Sequence, residues 1–181
     1  QRFFIALVPP SEVQTSVNAI KHHFKENYGS RKAFNSPPHI TLQAPFELPS
    51  KTNLDQLTDQ LKKFADKRES FEVSLQNFGA FPPKVIYIDV VKSPKLLALW
   101  QDLSNFMENT YGLIDRRCYP KFCPHMTVAF RDLTKAAFHK AWPIFKEKPI
   151  QINFTANALI LLHHNGQHWE IYEQYPMAMT K

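Results

Sequence analysis

Two short segments of the chain place a histidine and a threonine one residue apart inside an apolar run. Ser36 to Phe46 reads SPPHITLQAPF and Cys123 to Phe130 reads CPHMTVAF, so the pattern Pro-His-apolar-Thr-apolar is written twice. An imidazole titrates near pH 6.5, so of two sharing one site, one can accept a proton while the other gives one at the same pH. A threonine hydroxyl one alternation away can donate to a phosphate oxygen. Two such pairs around one phosphorus atom supply what phosphodiester cleavage asks of side chains: a base for the attacking oxygen, an acid for the leaving oxygen, and donors that hold the phosphoryl oxygens. A single such histidine reads as an ordinary strand residue. Two in the same context, 86 positions apart in a chain of 181, point to function.

Strand geometry says where these groups go. Successive side chains alternate faces, so His39, Thr41 and Gln43 share one side while Ile40, Leu42 and Ala44 share the other. The same parity groups His125, Thr127 and Ala129 against Met126, Val128 and Phe130. The apolar sets are expected to pack on helices, leaving imidazoles and hydroxyls on an uncovered surface. Gln43, on the histidine side, is a candidate ligand for a phosphate oxygen or a base edge.

The flanking pattern repeats as well. RFFIALVP reads as a buried strand, and Ser11 with Gln14 suggests a capping box ahead of the stripe Val13, Val17, Ile20 and Phe24, closed by Gly29. Leu54, Leu57, Leu61 and Phe64 mark a second helix, followed by a strand with Phe71, Val73 and Leu75 alternating. Then KVIYIDVV reads as a strand, and Ser93-Pro94 opens a helix through Leu96, Leu99, Leu103 and Phe106 that Gly112 closes. After the second motif come a short helix from Thr134, which Pro143 is expected to end or kink, and strands near Ile150 to Thr155, Ala158 to Leu162 and Trp169 to Glu173. Asn165-Gly166 signals a hairpin between the last two. Each half thus runs strand, helix, motif strand, helix, strand. The expected organisation is one domain over 1–181, with two intertwined lobes near 1–83 and 84–181 that bring the motif strands together across a cleft.

Composition narrows the classes. With 44% hydrophobic and 13% aromatic residues the chain can bury a substantial core. No apolar run reaches a membrane span, and the first residues lack a signal-peptide cleavage pattern. Cys118 and Cys123 fit neither a CxxC pair nor a disulfide framework, so a reducing cytoplasm is the expected compartment. A net charge of +6 favours an anionic partner. No GxGxxG, Walker A or GxSxG pattern is present, which removes dinucleotide, kinase and serine-hydrolase readings.

The segments HITL and HMTV, with their separation and the surrounding element order, resemble the 2H phosphoesterase superfamily, the LigT-like or 2'-5' RNA ligase family, over nearly the whole chain. That resemblance implies a bilobal α+β fold with an antiparallel sheet in each lobe, helices on the outer faces, and a central cleft carrying both HxTx motifs. It implies a catalyst without a metal or organic cofactor. His39 and His125 would be the acid and base pair, their individual roles open, and Thr41 and Thr127 the phosphate-holding hydroxyls. The implied partner is RNA, an oligonucleotide or a nucleotide with a 2',3'-cyclic phosphate or a 2'-5' linkage, acted on by a monomer. Opening the ring or cleaving the linkage, joining RNA ends by the reverse reaction, and holding a nucleotide without turnover all stand as alternatives. Many bacterial relatives carry an arginine in a HxTLxR-like arrangement. Here that position is Phe130, and Arg131 follows with the parity of His125 unless the strand ends or bulges.

Other residues could contribute. Arg116, Arg117 and Lys121, with Tyr119 and Phe122 among them, form either a loop that guides a polyanion and stacks a base or a solvated basic loop with aromatic anchors. Phe46 and Phe130 end the motif strands and are expected in the core first, as base platforms second. His163, His164 and His168 surround the hairpin turn, where a solvated tip outweighs a metal site.

Overall fold

The computed structural model describes residues 1–116 and 121–179. The strands are β1 (Arg2–Leu7), β2 (Ile40–Glu47), β3 (Phe71–Phe81), β4 (Val85–Val90), β5 (His125–Ala129), β6 (Gln151–Ala156), β7 (Ala158–His164) and β8 (Trp169–Pro176). The helices are α1 (Ser11–Tyr28), α2 (Leu54–Asp66), α3 (Pro94–Tyr111) and α4 (Lys135–Phe145), and a short 3-10 turn covers Lys32–Asn35.

Local chemistry sets most boundaries. The Ser93 hydroxyl accepts the Leu96 amide at 3.2 Å with Pro94 in the first helical turn, and Gly112 closes α3 at φ 67°. Gly29 closes α1 in the same left-handed conformation, where a Cβ would add strain. Two expectations are corrected. Ser11 is the first helical residue rather than the cap; Pro10 takes the cap position without a side-chain bond, and the Gln14 amide donates to the Pro9 carbonyl at 2.9 Å. Pro143 does not end α4, because it falls in the last turn, and buried Phe138, Ala141 and Phe145 hold that turn against the core.

The strands form two antiparallel four-stranded sheets, ordered β2-β1-β7-β8 and β5-β4-β3-β6. Each sheet draws on both halves of the sequence: β3 joins the second sheet, while β7 and β8 return from the far end to complete the first. The helices cross over in the same sense, α1 packing on β5 and α3 on β2. One continuous core, from Phe3 and Ile5 through Leu103 and Met107 to Tyr175, therefore spans both sheets on their helix sides. Each fully buried Leu, Ile or Phe in it contributes about 1.5–3 kcal/mol. A second, small cluster of Phe4, Ala6, Ile160 and Leu162 lies on the opposite face of the first sheet. Among the described residues, no helix is long and apolar enough to cross a membrane.

Candidate active site

β2 and β5 are edge strands of their respective sheets, and both edges open onto one cleft of about 280 Å³ lined by His39, Thr41, His125 and Thr127. Ile40 and Leu42 beside the first pair, and Met126 and Val128 beside the second, are buried at 1% exposure or less, as the alternation requires. The Nδ1 of His39 lies 2.8 Å from the Pro37 carbonyl oxygen, and the Nδ1 of His125 lies 2.7 Å from that of Cys123. A carbonyl only accepts, so both rings carry a proton on Nδ1, and Nε2 becomes the nitrogen that gains and loses one. This accounts for the repeated proline. Pro38 and Pro124 restrict the residue before them to extended backbone, and that residue supplies the carbonyl.

The two imidazoles sit in different surroundings. Burial pushes His39 down to about 4; the bond to Pro37 opposes this, and the positive charges of Lys21 and His125 add to it. His125 lies between the edge of Phe81, at 5.1 Å between ring centroids, and Tyr87, at 5.2 Å. Tyr87 in turn covers Gly79: a Cβ there would lie 2.7 Å from the tyrosine oxygen and closer still to the ring. Burial raises the Tyr87 phenol above its ordinary range, with Cys123 and Asp89 adding to the effect.

Gln43 does not line the cleft. The register of β1 against β2 shifts between Ile5 and Ala6, where Leu42 and Gln43 break the alternation, and Gln43 is buried at 3% exposure opposite Ile5. Arg131 does line it, although β5 ends at Ala129 and Arg131 has φ 58°, so its placement follows from a turn rather than from strand parity. Its guanidinium lies 5.3 Å from the ring of Phe130, which faces the cleft while Phe46 is buried in the core. Lys121 is exposed and absent from the lining, and Phe122 is a core residue stacked on Trp100 at 4.8 Å. Tyr119 and Arg117 lie outside the described residues.

The cleft wall also contains residues that sequence periodicity does not reveal: Arg2, Phe4, Phe81, His164 and Trp169. They arrive through the pairing of β1 with β7 and of β7 with β8, and through the extension of β3 to Phe81. Trp169 meets Phe4 edge-on at 4.8 Å and has the Arg2 guanidinium 5.5 Å from its ring. His164 accepts the Gly166 amide on Nδ1 at 3.1 Å, the opposite tautomer to the motif histidines, so its neutral ring presents Nε2–H as a donor. The other two hairpin histidines face Glu170, His163 at 2.9 Å and His168 at 3.8 Å. Among the described residues, no three His, Cys, Asp or Glu side chains are grouped to hold a metal ion.

A family profile described as the 2'-5' RNA ligase superfamily matches residues 9–168. The chain belongs to that superfamily. A Bacillus cytotoxicus protein named "Putative phosphoesterase" is 26% identical over 177 residues, covering 96% of this chain and 95% of that protein. In structure the chain is similar to TT0787 of Thermus thermophilus, with a TM-score of 0.73 at 18% identity and full coverage of both chains. It is also similar to Escherichia coli LigT, at TM-score 0.69, 17% identity and 98% coverage of both. LigT has been crystallised with 3'-AMP and with NADP+. The two-sheet α+β fold is therefore that of the LigT-like proteins, and the superfamily assignment makes this chain a 2H phosphoesterase relative.

Proposed function

We propose that the protein is a phosphodiesterase that opens 2',3'-cyclic phosphates, or cleaves 2'-5' linkages, on RNA ends or oligonucleotides. The observation that carries this reading is the pair of imidazoles lining one cleft, each with Nδ1 tied to a backbone carbonyl, which makes Nε2 the nitrogen that exchanges a proton. His39, held neutral by burial, suits the base. Its Nε2 takes a proton from water as the water oxygen bonds to phosphorus, while His125 delivers its Nε2 proton to the departing ribose oxygen as the P–O bond breaks. Thr41 and Thr127 hydroxyls donate to the non-bridging oxygens, and Arg2, Arg131 and the His164 donor place positive or donor character around them. Phe130 and Trp169 offer faces on which a base can stack. The binding of 3'-AMP by LigT supports a nucleotide ligand in a fold of this kind.

The test is hydrolysis of a short RNA ending in a 2',3'-cyclic phosphate, in excess chelator, by wild type, His39→Ala and His125→Ala, with the product monoester identified. Turnover lost about 10²–10⁴-fold in each variant is the expected result. Loss of wild-type activity in chelator, with rescue by a divalent ion, would overturn the mechanism. Joining of 5'-hydroxyl and cyclic-phosphate RNA ends would assign the reverse reaction to the same residues. Nucleotide binding without turnover in wild type would replace the enzyme reading with a binding module.

A further inference from the structure

We infer that Asp132 and Lys21 are positioning residues: together they clamp the cleft rim from Ser30 to Pro37 and so fix the carbonyl that orients His39. The rim precedes β2, and its residues Ala33, Asn35 and Ser36 line the cleft. Its last residue, Pro37, supplies the oxygen that accepts the His39 Nδ1–H.

The clamp grips the rim by its donors at one end and its acceptors at the other. Asp132 comes from the opposite sheet, three residues past the end of β5. Its carboxylate accepts the Ser30 hydroxyl at 3.0 Å, the Arg31 amide at 3.0 Å and the Lys32 amide at 3.2 Å. Burial acts to raise this carboxyl, but the bonds from Arg31, Ser30 and Lys32 outweigh it and hold it below the usual range, so it stays ionised. The turn that places Asp132 is the one that turns Arg131 to φ 58°, with the Asp132 amide donating to the Phe130 carbonyl at 2.7 Å. One carboxylate thus links the arginine wall of the cleft to the rim that orients the histidine.

Lys21 grips from beneath. It belongs to the buried stripe of α1, at 1% exposure, where an apolar residue would pack without cost. Its ammonium donates to the Ala33 carbonyl at 2.8 Å and the Ser36 carbonyl at 3.1 Å, and it lies 5.7 Å from the centre of the Phe34 ring. A buried ammonium is costly unless its donors are used. Here they bond the acceptors at the rim's C-terminal end, complementing the carboxylate at its N-terminal end.

The effect on turnover rests on the two-histidine reading above; the effect on His39 itself does not. The experiment compares wild type with Lys21→Met, Asp132→Ala and Ser30→Ala. The tautomer of each motif histidine is read from long-range ¹H–¹⁵N spectra, and kcat and KM from the cyclic-phosphate RNA. Lys21→Met and Asp132→Ala should weaken the Nδ1–H preference of His39, while His125, bonded to Cys123, keeps its tautomer. The kcat should fall about 10²-fold, the loss expected when a catalytic group is misplaced by about 1 Å. Ser30→Ala, which leaves both amide bonds to Asp132, should have a smaller effect of the same kind. If Asp132→Ala does not fold, Asp132→Asn, which keeps the volume and one acceptor oxygen, carries the comparison. Folded variants with an unchanged His39 tautomer would overturn the inference, as would changes shared equally by His125. A wild type without turnover would sink the two-histidine reading and still leave the spectra to decide on the clamp.

Discussion

Acidification from pH 7 to pH 4 charges an imidazole that the folded chain holds neutral, and the cost can be worked out. His39 sits at about 4 in the fold against 6.5 for an unperturbed ring. Between those values the unfolded chain binds the proton and the folded chain does not, so stability rises with pH. The contribution is therefore fully present above 6.5 and is lost as pH falls toward 4. A shift of this size is worth about 3 kcal/mol, a large share of the roughly 5–15 kcal/mol that holds a domain folded. The assay is urea unfolding of wild type and His39→Gln at several pH values between 7 and 4. The carboxylates titrate in both proteins and cancel in the difference. Wild type should lose about 3 kcal/mol more than the variant across the window, and the His39 ring should be half-protonated near pH 4. Equal losses within about 0.5 kcal/mol, or a ring midpoint at 6.5 or above, would refute the burial argument and with it the assignment of His39 as the resting base.

Two further outcomes follow from the geometry. Gly79→Ala should push the Tyr87 ring away and disturb its contact with His125, lowering kcat more than it raises KM while the fold survives; unchanged kinetics would show that Tyr87 does not hold that histidine in place. Ser93→Ala removes the cap of α3 and should cost about 1 kcal/mol by urea titration without altering turnover, since this helix terminus lies away from the cleft residues.

The four motif residues were legible because strand alternation is a local rule and both motif strands keep it through their threonines, from His39 to Leu42 and from His125 to Val128; Ala129, expected on the His125 face, instead lies in the core opposite Ile86, where the register of β5 against β4 shifts. Gln43 was misplaced because the register shift against Ile5 and Ala6 is a property of the pair of strands, invisible in one. Arg131 reaches the cleft through a left-handed turn that its residue type does not advertise. Phe4, His164 and Trp169 were beyond reach for another reason: β1 pairs with β7 about 160 positions away, β8 follows in its hairpin, and no periodicity spans that distance. The prolines before each histidine were legible as a repeated pattern, but their use, presenting a carbonyl to Nδ1, emerged only with the bonds.

The return of β7 and β8 to the first sheet has a bearing on how the chain is made. During synthesis β1 and β2 emerge early, yet the inner edge of β1 stays without its partner until residues near 160 have left the ribosome. Until then that edge is an open template for other strands, and the histidine it helps to place has only part of its cleft wall. A ribosome that stops before β7 therefore leaves an aggregation-prone chain in which both motifs have been translated but the first sheet is incomplete.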